Sequence, residues 1–151
     1  MYRVLLLCKD NTVLSPMAEG YLTYFAGDAV EAFSAGLGAK MVDPVVIDLM
    51  REDGIDISGI RPTNLSELKS IDFDYILTFD ADSRDESLHL PSKPVKYHYD
   101  LCGMVPEKAS AQETMEAYRN IQVKIKKSLR TFVKDHFECR LIGLSTGTIA
   151  T

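Results

Sequence analysis

Cys8 is the residue of this 151-residue chain best placed to do chemistry. It closes the apolar run Val4 to Leu7 and is followed by the loop Lys9-Asp10-Asn11-Thr12-Val13-Leu14, then by Ser15-Pro16. A continuous apolar run is the pattern of a strand buried on both faces in a parallel sheet. Serine is a good N-cap and proline suits the first helical position, so Ser15-Pro16 predicts a helix start. Residues 8 to 14 then form a strand-to-helix loop, where backbone N–H groups and the helix dipole favour an anion. A thiol at that place is drawn toward its charged form, which makes Cys8 a candidate nucleophile for phosphorus or arsenic oxyanions. A lone cysteine ending a strand is also an ordinary core residue, so the surrounding chain has to decide.

The elements that would position Cys8 follow from periodicity. After Ser15-Pro16, Met17, Ala18, Tyr21, Leu22 and Phe25 recur at helical spacing until Gly27. Val30 to Ser34 reads as a second strand, followed by a loop from Gly36 to Asp43 and a helix from Pro44, capped by Asp43 and ending at Gly54. Phe73 to Phe79 and Val95 to Tyr99 read as further strands. Ser110 and Glu113 have the spacing of a capping box, and Met115, Tyr118, Ile121, Ile125, Leu129 and Phe132 share one face of the helix that follows. The alternation predicts one α/β domain over residues 1–151: an open, doubly wound parallel sheet of about four strands with helices on both faces. The tail from Cys139 to Thr151 fits either a strand or a loose end.

Composition narrows the function classes. A net charge of -5 offers no electrostatic footprint for nucleic acid. The apolar start MYRVLLLC is too short to span a membrane and lacks a secretory cleavage site, so a cytoplasmic protein with no membrane partner is expected. Cys8, Cys102 and Cys139 form no even framework and no short metal spacing, and His89, His98 and His136 stand singly. Neither a disulfide scaffold nor a structural metal is expected, and no cofactor is implied.

The text around Cys8, VLLLCKDNTVLSPMAEG, resembles the C-x5-R-S-P-M-A-E signature of the low-molecular-weight protein tyrosine phosphatases and related arsenate reductases. Ser34-Ala35-Gly36, Asp43-Pro44, Glu52 to Ser58 and Asp74 to Thr78 follow in that family's order, so the likeness runs over roughly residues 2 to 135. The resemblance implies Cys8 as the nucleophile within an anion loop of Lys9, Asp10, Asn11, Thr12, Val13, Leu14 and Ser15. It implies that Asn11, Ser15 and Ser34 brace that loop, and that Asp100, after the fourth strand, is the general acid.

Several departures point the same way. Leu14 stands where the signature has arginine, so the bidentate, permanently charged oxyanion grip is absent. Asp10 replaces the usual glycine and puts a carboxylate beside a site meant for dianions, against one added lysine, Lys9. Asp100-Leu101-Cys102-Gly103 lacks the aromatic wall of the phosphatases, and Tyr97 and Tyr99 read as core or rim. The resolving thiols of the arsenate reductase branch would fall near positions 80 and 87, which are Asp80 and Ser87. The expectation is a divergent, catalytically impaired relative that binds phosphate, arsenate or another small oxyanion weakly, or holds a protein partner in the cleft. The alternatives are an active phosphatase or arsenate reductase using Cys8 and Asp100, with Arg51 or Arg61 supplying the cation, and a thiol redox sensor pairing Cys8 with Cys102.

Overall fold

The computed structural model describes residues 1–91, 93–101 and 108–138. Cys102, Cys139 and the tail from 139 to 151 lie outside the described residues, and with them the proposed Cys8–Cys102 pair. Four strands, β1 (Tyr2–Cys8), β2 (Val30–Gly36), β3 (Tyr75–Thr78) and β4 (Val95–His98), form one parallel sheet in the order β2-β1-β3-β4. The helices are α1 (Leu14–Ala26), α2 (Pro44–Glu52), α3 (Ala81–Ser87) and α4 (Ala111–Val133), the last continuing as one wider turn over Lys134–Glu138.

Side chains alternate across β1, and each set has its own partners. Val4, Leu6 and Cys8 join the larger core with Met17, Tyr21 and Leu22 of α1, Leu49 of α2 and Ile121, Ile125 and Leu129 of α4. Leu5 and Leu7 face the other way, against Leu65, Phe73 and Ile76, with Leu68 and Leu90 packed alongside. That smaller layer is built from one short helical turn, Leu65–Leu68, and the segments around it. The predicted doubly wound sheet is present, with the heavier helical layer on the side that carries Cys8.

Most predicted boundaries hold. Gly27 ends α1 at φ 54, a left-handed conformation open to glycine. Asp43 caps α2 by accepting from Val45 N at 2.9 Å, and Ser110 and Glu113 close both sides of a capping box on α4. β3 is shorter than Phe73 to Phe79, yet its flanks still bond to β1: Asp74 N donates to Arg3 O and Phe79 N to Leu7 O. The sequence reading gave no helix between β3 and β4, where α3 lies. That helix is short and largely polar, so its apolar periodicity is weak; its signal is the cap, Asp80 accepting from Ser83 N at 2.9 Å.

Candidate active site at the end of β1

The start of α1 departs from the expected cap. Leu14, and not Pro16, is the first helical residue, the cap position falls on Val13, and no side chain bonds there. Ser15 lies inside the first turn with its hydroxyl turned into the loop, which corrects its assignment as the N-cap. Pro16 is tolerated because a first-turn N–H has no helical acceptor to lose.

The inward hydroxyl organises the site. Ser15 Oγ donates to Asn11 Oδ1 at 2.7 Å, lies 3.0 Å from Cys8 Sγ, and is 3.5 Å from Ala35 O. Asn11 N donates to Cys8 Sγ at 3.2 Å. Asn11 is fully buried at φ 59, one of the left-handed turns that asparagine accepts better than most residues. Gly36 at the end of β2 holds this turn from outside. A Cβ there would come within 3.0 Å of Asn11 N and of Asp10 C, so only glycine lets the strand end press on the loop. Asn11 and Ser15 are thus bonded to one another and to Cys8 inside the loop. Among the described residues the buried Ser34 Oγ has no hydrogen-bond partner, and β2 meets the loop through Ala35 O and Gly36.

A cavity of about 310 Å³ opens over Cys8. Leu14, Val13, Leu101 and Ile121 give it apolar walls, Asp10 and Asp80 supply carboxylates, and Lys9 supplies its cation. Lys9 Nζ is drawn outward to Asp82 at 3.7 Å. Its backbone N–H is taken as well, by Asp80 Oδ2 at 2.7 Å. Thr12 N and Thr12 Oγ1 both donate to Asp10 Oδ1, at 3.3 and 2.9 Å. The amides of Lys9, Asn11 and Thr12 therefore each have an acceptor within the chain. Lys9 and Asp10 also border a wider mouth lined by Lys40, Asp82, Asp85 and Glu86, so acid outnumbers base there too.

Burial pushes the Cys8 thiol up from its ordinary pKa; the Ser15 hydroxyl and the Ser15 and Asn11 amides pull the other way, and Asp10 adds to the rise. This reverses the expectation of an acidified thiol. Cys8 is only 1% exposed, and desolvation outweighs the loop's dipoles. Either atom can be the donor in the short Sγ–Oγ contact, so it serves the thiol and the thiolate alike.

The remaining candidates lie elsewhere. Asp100 is exposed and does not line the cavity, although its neighbour Leu101 does. Arg51 pairs with Asp48 on α2 at 3.3 Å, and Arg61 lines a separate cavity beyond β2. Neither reaches Cys8. Tyr97 bonds to His136 at 2.7 Å and Tyr99 stacks on Phe79, so both are core or rim residues. Ser87 donates to Arg84 O within α3, and Asp80 joins α3 to the loop. Sequence reading missed Tyr118 and Ile121 as cavity walls. They are 110 and 113 positions from Cys8 in the chain, and nothing local marks them. Tyr118 donates to Asp43 Oδ2 at 2.8 Å, and burial together with that carboxylate pushes its hydroxyl up to about 12.

A parallel sheet in the order β2-β1-β3-β4, with a cysteine loop running from β1 into α1, defines a protein of the α/β class. The sequence model described as low molecular weight phosphotyrosine protein phosphatase matches residues 3–136, and the chain belongs to that family. It is 27% identical to an arsenate reductase of Halalkalibacterium halodurans over 128 residues, 85% of this chain and 92% of that protein. Among solved structures, an arsenate reductase in the phosphate binding state superposes with a TM-score of 0.72 at 22% identity, over 89% of this chain and 98% of that one. A low molecular weight protein tyrosine phosphatase from T. tengcongensis does so at 0.70 and 23%, over 89% and 99%. No helix among the described residues is long and apolar enough to cross a membrane.

Proposed function

We propose that this protein keeps the family's anion loop as a scaffold while its catalysis is strongly impaired. The observation that carries the reading is the lining of the Cys8 cavity: Leu14 forms a wall where the signature has a guanidinium, and two carboxylates face one outward-drawn lysine. An arginine that stabilises a transferring phosphoryl group is worth about 10³- to 10⁵-fold in rate, and a single preorganised donor about 10²- to 10³-fold. A buried thiol held toward its neutral form lowers the supply of nucleophile further. The Leu14 amide in the first turn of α1 has no helical acceptor, and with the helix dipole it leaves weak binding of phosphate or arsenate in this reading. The related arsenate reductase in its phosphate binding state supports that part. The cleft otherwise serves a protein partner, in a cytoplasmic setting.

Turnover of a generic aryl phosphate by wild type, Cys8→Ser and Leu14→Arg proteins tests the proposal. Wild type is expected to be nearly inactive, and Leu14→Arg to gain about 10³-fold. A wild-type rate that Cys8→Ser abolishes, and that Leu14→Arg does not raise, would establish a working enzyme with Cys8 as its nucleophile.

A further inference from the structure

β2 is an edge strand, and its outer side is covered at one end only. Gly36 N donates to Thr63 O and Gly36 bridges to Asn64, while the chain from Asp56 to Pro62 has no backbone hydrogen bond to the strand among the described residues. The gap is a cavity of about 340 Å³ that wraps round the strand edge, from Ala32 and Ser34 on the α1 side to Phe33 and Leu68 on the other. It is separate from the Cys8 cavity; the two have no lining residue in common.

Three features give this gap a chemical character. Ser34 lines it, is 5% exposed, and its Oγ has no hydrogen-bond partner among the described residues. Native chains seldom leave a buried hydroxyl unpaired, because it gives up water and receives nothing in return. Glu19 of α1 also lines the gap; burial pushes its carboxyl up, and the Ser34 hydroxyl and amide beside it pull the other way. Around these two the walls are Phe33, Ile57, Ile60 and Leu68, and the rim carries Asp56 and Arg61. Glu19 and Asp56 against Arg61 give the gap more acidic than basic groups.

We infer that this gap is a binding site for a small, flat organic cation bearing N–H donors, of the imidazolium or amidinium class. One N–H would be received by Glu19 and a second by the unpaired Ser34 Oγ, while the planar carbon frame lies against Phe33, Ile57 and Ile60. Such a ligand supplies what the site lacks, a positive charge beside a buried carboxyl and a donor for an orphaned hydroxyl. Anions are disfavoured by Glu19 and Asp56, and aliphatic molecules leave both polar groups unpaired.

The test is an NMR titration of the full chain with imidazole at a pH of about 6, where the ring is protonated, with guanidinium as a second probe and neutral acetamide as control. Saturable shifts centred on the Ser34, Ile57 and Ile60 amides are expected with both cations, and none with acetamide. Glu19→Gln is expected to weaken binding about tenfold, the loss typical of a charged hydrogen-bond partner. Ser34→Ala removes an unpaired group, so it should leave the melting temperature unchanged or raised while still weakening binding. It keeps the test decisive if Glu19→Gln does not fold. Cys8→Ser should bind as wild type does. Shifts that stay linear, that centre on Asp82, Asp85 and Glu86, or that survive both Glu19→Gln and Ser34→Ala would overturn the site. So would a destabilised Ser34→Ala, since it would mean the hydroxyl already has a partner.

Discussion

Helices α1 and α4 begin in opposite ways. Ser110 and Glu113 satisfy one another's end of α4 through a complete capping box, and the sequence alone announces it. At α1 the cap position is Val13, with φ -128 and ψ -62 and no side-chain bond, and the serine that looks like a cap has turned inward to Asn11 and Cys8. A capped helix end is chemically finished. At the uncapped end the first-turn groups turn to the loop itself: the Ser15 amide and hydroxyl meet Cys8, and Met17 N bonds back to Val13 O at 3.2 Å. The contrast separates helix starts that only terminate an element from the start around which a site is built.

The largest stability effect that would break this contrast is expected from Ser15→Ala. It deprives Asn11 Oδ1 of its donor inside a fully buried turn and is expected to cost about 2 kcal/mol, read from denaturant unfolding. A loss below about 0.5 kcal/mol would mean that the hydroxyl is not the brace of the loop. Ser110→Ala should cost about 1 kcal/mol, the usual loss of an exposed cap, with no change at Cys8. Val13→Thr should change stability by less than about 0.5 kcal/mol, because the backbone at 13 is not in the extended conformation from which a hydroxyl caps. A gain near 1 kcal/mol would show that α1 starts as ordinarily as α4.

The thiol gives a comparison in pH. The folded-state pKa of Cys8 lies above that of an unfolded thiol, so the folded chain holds the proton more tightly. The corresponding stability is fully present below the unfolded thiol's pKa and is lost as pH rises through the raised folded value. Alkylation of native Cys8 should accordingly be slow near neutrality and accelerate only at a pH above that at which a free cysteine does. Cys8→Ser should flatten the alkaline limb of the stability curve. Fast alkylation at neutral pH would mean an activated nucleophile and would favour the working enzyme over the impaired one.

Much of the fold was legible because its signals are local. Val4 to Leu7, Asp43-Pro44, Gly27 and the Ser110/Glu113 pair each carry their own reason for being strand, cap, stop or start. α3 was not legible, since seven mostly polar residues bury too little to leave a period. In the site, the order of Cys8, the loop and Ser15-Pro16 was legible because those residues are neighbours in the chain. The bonds of Asn11 and Ser15 to one another, the place of Ser34 at a gap beside the sheet edge and the upward shift of the Cys8 thiol depend on packing and were not.

By itself, then, the sequence determined which groups are available at the end of β1: a thiol, a short polar loop, and a leucine in place of a permanent positive charge. Only the tertiary structure decided how those groups are used. It brought Asp80 onto the Lys9 amide across 71 positions of chain, set Tyr118 and Ile121 over the thiol, and left Ser34 without a partner. The reason is that residue type fixes what can be donated or charged, while burial and the choice of partner, which set whether a thiol ionises or an amide stays free, arise only when distant segments pack.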